Sequence, residues 1–367
     1  MLFIACLALA AVPFSLPNGT KKANVLIAYQ KAVKLAEDGD AQKATEFFYD
    51  ILMNAPNDSV IDNMYEDIKE ILTQEQKKAF KRAKNKALWL LHFWRSLDPT
   101  PATPANEGLV EHYQRLKFVK RKYRCFLPRG YDDRGLVYLK YGPPDDKYIS
   151  SMGETTRDNE SWVYHRLGDV SFDFVEFGGI YYSVEDLRRA LASVPSDFRA
   201  QLYLWMQLFD ERSDLDLNYQ ITAAALRKSM QDLARGIRPN PESIIQHEYI
   251  VRNYEKKLDL PEHASDFRMK EKPLSFIVAE AAFLPEQRTP FSQPFAPSSL
   301  FPAERTGAAG KASRLELYYA LLLKKLNTKK LFNAKRPANM ILAFAVYNKS
   351  HDLLLQKEDS LQLDLSA

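Results

Sequence analysis

The sequence predicts an α+β multidomain chain. It reads as a helical N-terminal region, a small antiparallel sheet covered by a helix, a second helical segment and a β-sandwich-like C-terminal domain. Three observations predict this. Apolar residues recur at helical spacing through 23–97 and again through 184–260. They alternate with polar residues around 161–177 and from 274 onward, as in strands with one buried face. At 367 residues the chain is longer than one core usually serves. The composition, 46% hydrophobic and 27% charged, is that of folded protein. A net charge of +4 without a strongly basic arm or block gives no support to a nucleic-acid partner. Only 13 glycines argue against glycine-rich phosphate loops.

Met1 to Leu16 is uncharged and almost wholly apolar. It is too short to span a bilayer comfortably and matches the hydrophobic region of a secretory signal peptide, with Ala8-Leu9-Ala10 as a cleavage site. Residues 1–20 are therefore expected to be a signal peptide and the protein to be extracytoplasmic, in the periplasm or cell envelope. Phe3-Ile4-Ala5-Cys6 also looks loosely like a bacterial lipobox; lipidation of Cys6 would need a start upstream of Met1. Beyond the signal only Cys125 remains, so no internal disulfide can form.

Residues 21–97 form the first helical region. Two amphipathic segments, 23–37 and 41–54, are broken by Asp38-Gly39-Asp40. Leu35, Ala44, Phe48, Ile51 and Pro56 fall at the spacing of one tetratricopeptide unit, which predicts a TPR-like helical hairpin. Helices follow over 60–72 and 75–94, the second started by a Thr73/Gln76 capping box. Asp98-Pro99-Thr100-Pro101 must then break the helix.

Residues 98–183 read as a compact α+β domain. Thr103-Pro104 is expected to start a helix running to about Arg124, with Glu107, Glu111, Arg115 and Lys122 on its polar face. Strands are expected at 136–141, 161–167 and 170–177, the last two joined by a Gly168-Asp169 turn. Between the first two lies a polar loop, 142–160, of the length that often carries function. Residues 184–262 are helical again: one helix capped by Ser196, one over roughly 215–235 ended by Pro239-Asn240-Pro241, and a further one reaching Lys257. Residues 263–367 read as a β domain with strands at 274–284, 314–323, 340–348 and 353–365 and a Pro-rich surface loop at 285–305. It is expected to be truncated at Ala367.

The stretch from Phe93 to Tyr164 carries a series of motifs. They are Phe93-Trp94, Asp98-Pro99-Thr100-Pro101, Asn106-Glu107, Asp133-Arg134-Gly135, Tyr138, Tyr141-Gly142-Pro143-Pro144-Asp145, Glu160, Trp162 and Tyr164. In order and spacing they resemble the GWxTD-domain family, bacterial extracytoplasmic proteins of undefined biochemical role. The resemblance implies a signal peptide, helical repeats, this domain and a C-terminal β region. It implies structural roles for Trp94, Asp98, Pro99, Asn106, Glu107, Gly135, Tyr138, Gly142 and Pro143. The name-giving segment departs from the pattern. Tyr131 stands where the Trp belongs, one residue is missing, and Asp132 takes the Thr position. Tyr131 still offers an aromatic face with a polar tip.

No catalytic or metal signature accompanies these motifs. His92, His112, His165, His247, His263 and His351 are scattered, and no zinc spacing, nucleophile elbow or phosphate loop occurs. Glu111-His112 and Tyr164-His165 could meet where the helix covers the sheet. Arg134 is expected to pair with a buried carboxylate, for which Glu107, Asp98 and Glu160 are candidates. The expected function is a non-enzymatic protein–protein interaction or scaffold module with an unknown partner in the cell envelope. Its expected binding surface is Tyr131, Arg134, Trp162, Tyr164 and the 142–160 loop. No cofactor, metal or nucleic acid is expected, and membrane contact only through the signal or a lipid at Cys6. The competing expectation is a cell-envelope hydrolase using Asp133, Asp145 or Glu160 as acid and base.

Overall fold

The computed structural model describes residues 22–264 apart from 55, 100–102, 152 and 154, together with 297–302, 315–319, 338–347 and 353–363. The expected signal with Cys6, and the expected strand 274–284, lie outside the described residues. Two compact units divide the chain: 1–97 with 105–266, and 98–104 with 267–367.

In the first unit, α1 (Lys22–Asp38) and α2 (Ala41–Asn54) form a helical hairpin. Gly39 turns it at φ +86°, and Asp40 N–H returns to the Leu35 carbonyl at 3.0 Å, closing the helix end. Ala32, Ala36 and Ala44 are fully buried, so the two backbones approach closely. Next come α3 (Asp58–Ile68), a 3₁₀ turn at Lys69–Ile71 and α4 (Gln74–Arg82), which starts on the Thr73/Gln76 capping box. The single helix expected over 75–94 is split. Asn85 accepts from Leu88 N–H and starts α5 (Lys86–Ser96) afresh. The next helix, α6 (Glu107–Lys122), is capped by Asn106 rather than Thr103.

The strand expected at 136–141 is a helix, α7 (Asp133–Tyr141). Asp132 caps it by accepting from Gly135 N–H at 3.2 Å, and Gly142 ends it at φ +76°. The alternation of apolar residues misled because this short helix is packed on several sides: Val137, Leu139 and Tyr141 are buried, and the residues between are half-buried.

Four strands follow: β1 (Asp146–Ser150), β2 (Asn159–Tyr164), β3 (Val170–Phe177) and β4 (Ile180–Val184), antiparallel in the order β1-β2-β3-β4. The expected 142–160 loop thus holds an edge strand, and β4 has no counterpart in the sequence reading. The expected strand 161–167 stops at Tyr164, where a 3₁₀ turn leads into Gly168 and Asp169, both at positive φ.

The two central strands, β2 and β3, are buried on both faces. Glu160, Trp162, Tyr164, Val170, Phe172 and Phe174 face the helices α1–α7; Val170, Phe172 and Phe174 share a face, as the alternation predicts. Asn159, Ser161, Val163, Ser171, Asp173 and Val175 face a second helical layer. That layer is α8 (Phe198–Asp210), α9 (Leu217–Ala234), α10 (Pro241–Ile244), a π-helical stretch Ile245–Val251 and α11 (Arg252–Leu258). Its first cap is Asp197, not Ser196. Within this unit one apolar core takes in residues from Val25 to Phe174.

In the second unit, β5 (Pro297–Pro302) pairs with β6 (Leu315–Tyr319), and β7 (Ala338–Tyr347) with β8 (Leu353–Leu363), each antiparallel. The expected Pro-rich surface loop therefore includes a strand, β5.

Candidate functional site: the motif residues

The motif residues gather around the two ends of α7. At its N-terminal end the Arg134 guanidinium joins two carboxylates. Nε and Nη2 donate to Asp132 Oδ2 at 3.0 and 2.7 Å, and Nη1 donates to Glu160 Oε1 at 2.5 Å. The other Glu160 oxygen accepts from the Trp162 indole at 2.8 Å. Tyr181 lies across the guanidinium at 3.4 Å from ring centroid to Cζ, with Tyr123 on it at 5.2 Å. Asp133 turns the other way, accepting from Arg129 and from Ser183 N–H of β4 at 2.7 Å. The helix is thereby tied to both β2 and β4.

The C-terminal end is closed by two further arginines. Arg115 donates to the last carbonyls of α7, Leu139 at 3.3 Å and Lys140 at 3.1 Å, and pairs with Glu111. The sequence puts it on the polar face of α6, yet it is 4% exposed. Arg166 donates to the carbonyls of Tyr141 (2.5 Å) and Pro143 (2.8 Å) and to Asp145 Oδ1 (2.5 Å). The Tyr164 hydroxyl takes the Gly142 carbonyl at 2.9 Å. Every carbonyl from Leu139 to Pro143 thus has a side-chain partner. Partial burial acts to raise the Asp145 pKa, but hydrogen bonds from Arg166 outweigh it and pull the carboxyl below its usual value.

Asn106 is a second hub. Fully buried, it accepts from Leu109 N–H at 2.9 Å as the cap of α6. Its amide donates to the Trp94 carbonyl at 2.6 Å and the Tyr49 hydroxyl at 2.9 Å, and its own N–H donates to Thr45 Oγ1 at 2.8 Å. Helices α2, α5 and α6 meet on this one side chain. Glu107 sits in the first turn of α6, where an anion favours the helix dipole. Tyr138 stacks on Phe118 at 4.5 Å, and Asp98 and Pro99 follow the end of α5 half-buried.

The expected binding surface is therefore mostly interior. Tyr131, Trp162 and Tyr164 are 3%, 1% and 0% exposed. The Tyr131 ring lies against Gly135, where an added Cβ would meet it at 2.8 Å. The three carboxylates of the hydrolase expectation do not converge. Asp133 and Glu160 lie at the start of α7 and Asp145 beyond its end, a helix of about 13 Å between them. Each is engaged by an arginine. His112 and His165 do not meet: His112 contacts the Asp67 carbonyl at 2.9 Å, and His165 contacts Asp169 at 2.6 Å and Asp146 at 3.2 Å. Among the described residues no group of three or more His, Cys, Asp or Glu side chains is placed to hold a metal.

Sequence reasoning missed a polar cluster on the other face of the sheet. Asp173 accepts from Ser161 Oγ (2.5 Å), Tyr219 (2.8 Å) and the Tyr249 hydroxyl. Arg212, fully buried, donates to Ser161 Oγ at 2.7 Å, the Leu208 carbonyl at 2.7 Å and Asn159 Oδ1. Burial holds the Asp173 pKa above its ordinary value. The only signal in the sequence was four polar residues alternating with aromatic ones in β2 and β3, and such a face ordinarily meets water.

The arrangement defines a class: a sheet between two helical layers, in which the motif side chains clamp helix ends and turns. The family model of the GWxTD domain matches residues 34–181, and this part of the chain is a GWxTD domain. The match begins inside α1 and ends at Tyr181, the residue stacked on Arg134, so it takes in the helical layer expected to be separate. No curated protein and no solved structure matches the chain.

Proposed function

We propose that the protein is an extracytoplasmic scaffold that binds another polypeptide and does not itself catalyse a reaction. The observation that carries this is the Arg134 clamp: Asp132, Asp133 and Glu160 are spent on arginines, a backbone amide and an indole, inside a packed wall. The uncharged Met1 to Leu16 stretch supports export. The β5–β6 and β7–β8 ladders suit a sandwich-like C-terminal domain. Within the 142–160 segment the contact surface is β1, an edge strand with Asp146, Lys147 and Ile149 exposed. Such an edge takes a partner strand by main-chain pairing. The opposite edge is less open, since Asp133 already holds Ser183 N–H.

The test is a photo-crosslinker placed at Ile149 in the tagged protein, with fractionation of the cell envelope. A discrete adduct from position 149, and none from Leu258, is the expected result. A chain retained in the cytoplasm would refute the location. Release of soluble fragments from isolated envelope material, lost in a folded Glu160→Gln variant, would overturn the scaffold reading.

A further inference from the structure

The loop between α6 and α7 holds the most exposed large apolar side chain described in the first unit. Phe126 is fully exposed, at 102%. The loop around it is built to hold that position. Cys125 N–H donates to the Gly130 carbonyl at 3.1 Å, and Gly130 N–H to the Leu127 carbonyl at 2.7 Å. At its base Asp132 N–H donates to the Tyr123 carbonyl at 3.0 Å, and Arg129 Nε to the Tyr131 carbonyl at 2.7 Å. Tyr131 and Asp132, from the name-giving turn, end the loop and are buried. A phenyl ring fixed in water gives the fold nothing, since the apolar area it could bury stays wet.

Basic residues lead into this loop. The net charge of +4 conceals a basic run, Lys120-Arg121-Lys122-Tyr123-Arg124. Lys120 is held by Asp67 and Arg129 by Asp133. Arg121, Lys122 and Arg124 are exposed, and no acidic partner holds them among the described residues.

We propose that this loop docks on an anionic lipid surface, with Phe126 entering the boundary between headgroups and acyl chains and Arg121, Lys122 and Arg124 lying on lipid phosphates. A protein hot spot calls for a packed apolar patch with a desolvated rim. A lone ring at a loop tip among flexible cations instead fits the headgroup layer, where long basic side chains reach the phosphates while one ring goes deeper. The motif turn would then serve as the brace of a membrane-facing loop. This contact is independent of the strand-addition reading at β1.

The experiment uses the full chain with Phe126→Trp, whose emission, taken as a difference from wild type, reports on this position and not on the apolar N-terminal stretch. The expected result is a blue shift with vesicles of phosphatidylcholine and phosphatidylglycerol, absent with phosphatidylcholine alone and weakened by salt. Each cation near an anionic surface is worth roughly fivefold in partitioning. Replacing Arg121, Lys122 and Arg124 by Gln in the Trp variant should therefore lower its affinity by on the order of 100-fold. Unchanged thermal unfolding keeps that comparison valid. No shift with anionic vesicles, an equal shift with both vesicle types, or an unchanged affinity in the Gln variant would each overturn the proposal. So would a blue shift on adding soluble polyglutamate alone, which would mark an acidic polypeptide as the ligand.

Discussion

The Arg134 guanidinium and the Tyr181 ring lie face to face at 3.4 Å, and the same guanidinium bridges Asp132 and Glu160. Removing the cation would leave two mostly buried carboxylates without their partner. Arg134→Ala is expected to cost about 3 kcal/mol of unfolding free energy in urea. Arg134→Lys keeps the charge but cannot fork between two carboxylates or stack flat on the ring, so it should recover only part of that loss. A loss in Arg134→Ala within the roughly 0.5 kcal/mol of ordinary surface changes would mean the clamp does not hold α7 to the sheet.

Asn106 separates capping from bridging. Asp is as good an N-cap as Asn, so Asn106→Asp preserves the bond from Leu109 N–H. It also replaces the amide that donates to the Trp94 carbonyl and the Tyr49 hydroxyl with an acceptor. Unmatched buried acceptors cost about 1–3 kcal/mol each, more when charged. Asn106→Asp is therefore expected to lower the melting temperature at least as far as Asn106→Ala. A milder effect in the Asp variant would show that the cap is the only role that matters.

Gly142 combines φ +76° with ψ −163°, a region essentially reserved for glycine. A Cβ there would also meet Arg115 Nη2 at 2.9 Å. Gly142→Ala should cost on the order of 2–3 kcal/mol, from backbone strain and from displacing the guanidinium that caps α7. Gly130, at φ +84° with open space where its Cβ would lie, provides the contrast. Its Ala variant should lose about 1 kcal/mol, from conformation alone. Equal losses at the two positions would mean that the Arg115 contact contributes nothing.

The helix starts that rest on side-chain chemistry were legible where the cap stands next to the helix, as at Thr73. They were missed where a stronger cap lies a few residues on, as with Asn106 beyond Thr103. The pairing of Arg134 with Glu160 was among the alternatives because a buried cation needs a carboxylate. The helix α7 was not legible, because nine residues packed on several sides lose the helical period and mimic a strand. The burial of Tyr131, Trp162 and Tyr164 was hidden for a related reason: an aromatic residue reads alike whether it faces a partner or its own core. The polar cluster around Asp173 and Arg212 depends on helices distant in sequence covering a face that looks solvated.

Acid should loosen the helical layer through His112. Burial holds its pKa down from 6.5 to about 4, so the folded protein keeps the ring neutral while the unfolded chain takes up a proton. Stability is therefore full above the unfolded value of 6.5 and falls as the pH drops toward about 4, where the folded ring also titrates. The loss available from this one group is on the order of 3 kcal/mol. His263, lowered to about 3 by burial and by the charges of His112 and Arg115, extends the decline to lower pH. Asp173 acts with the opposite sign, because its raised pKa lets the folded state take the proton first. His112→Phe keeps a ring against Trp94 and removes the titration, at the expense of the bond to the Asp67 carbonyl. It should be less stable near neutrality yet show a flatter decline between pH 6.5 and about 4 in urea titrations. An unchanged slope would assign the acid sensitivity to other groups.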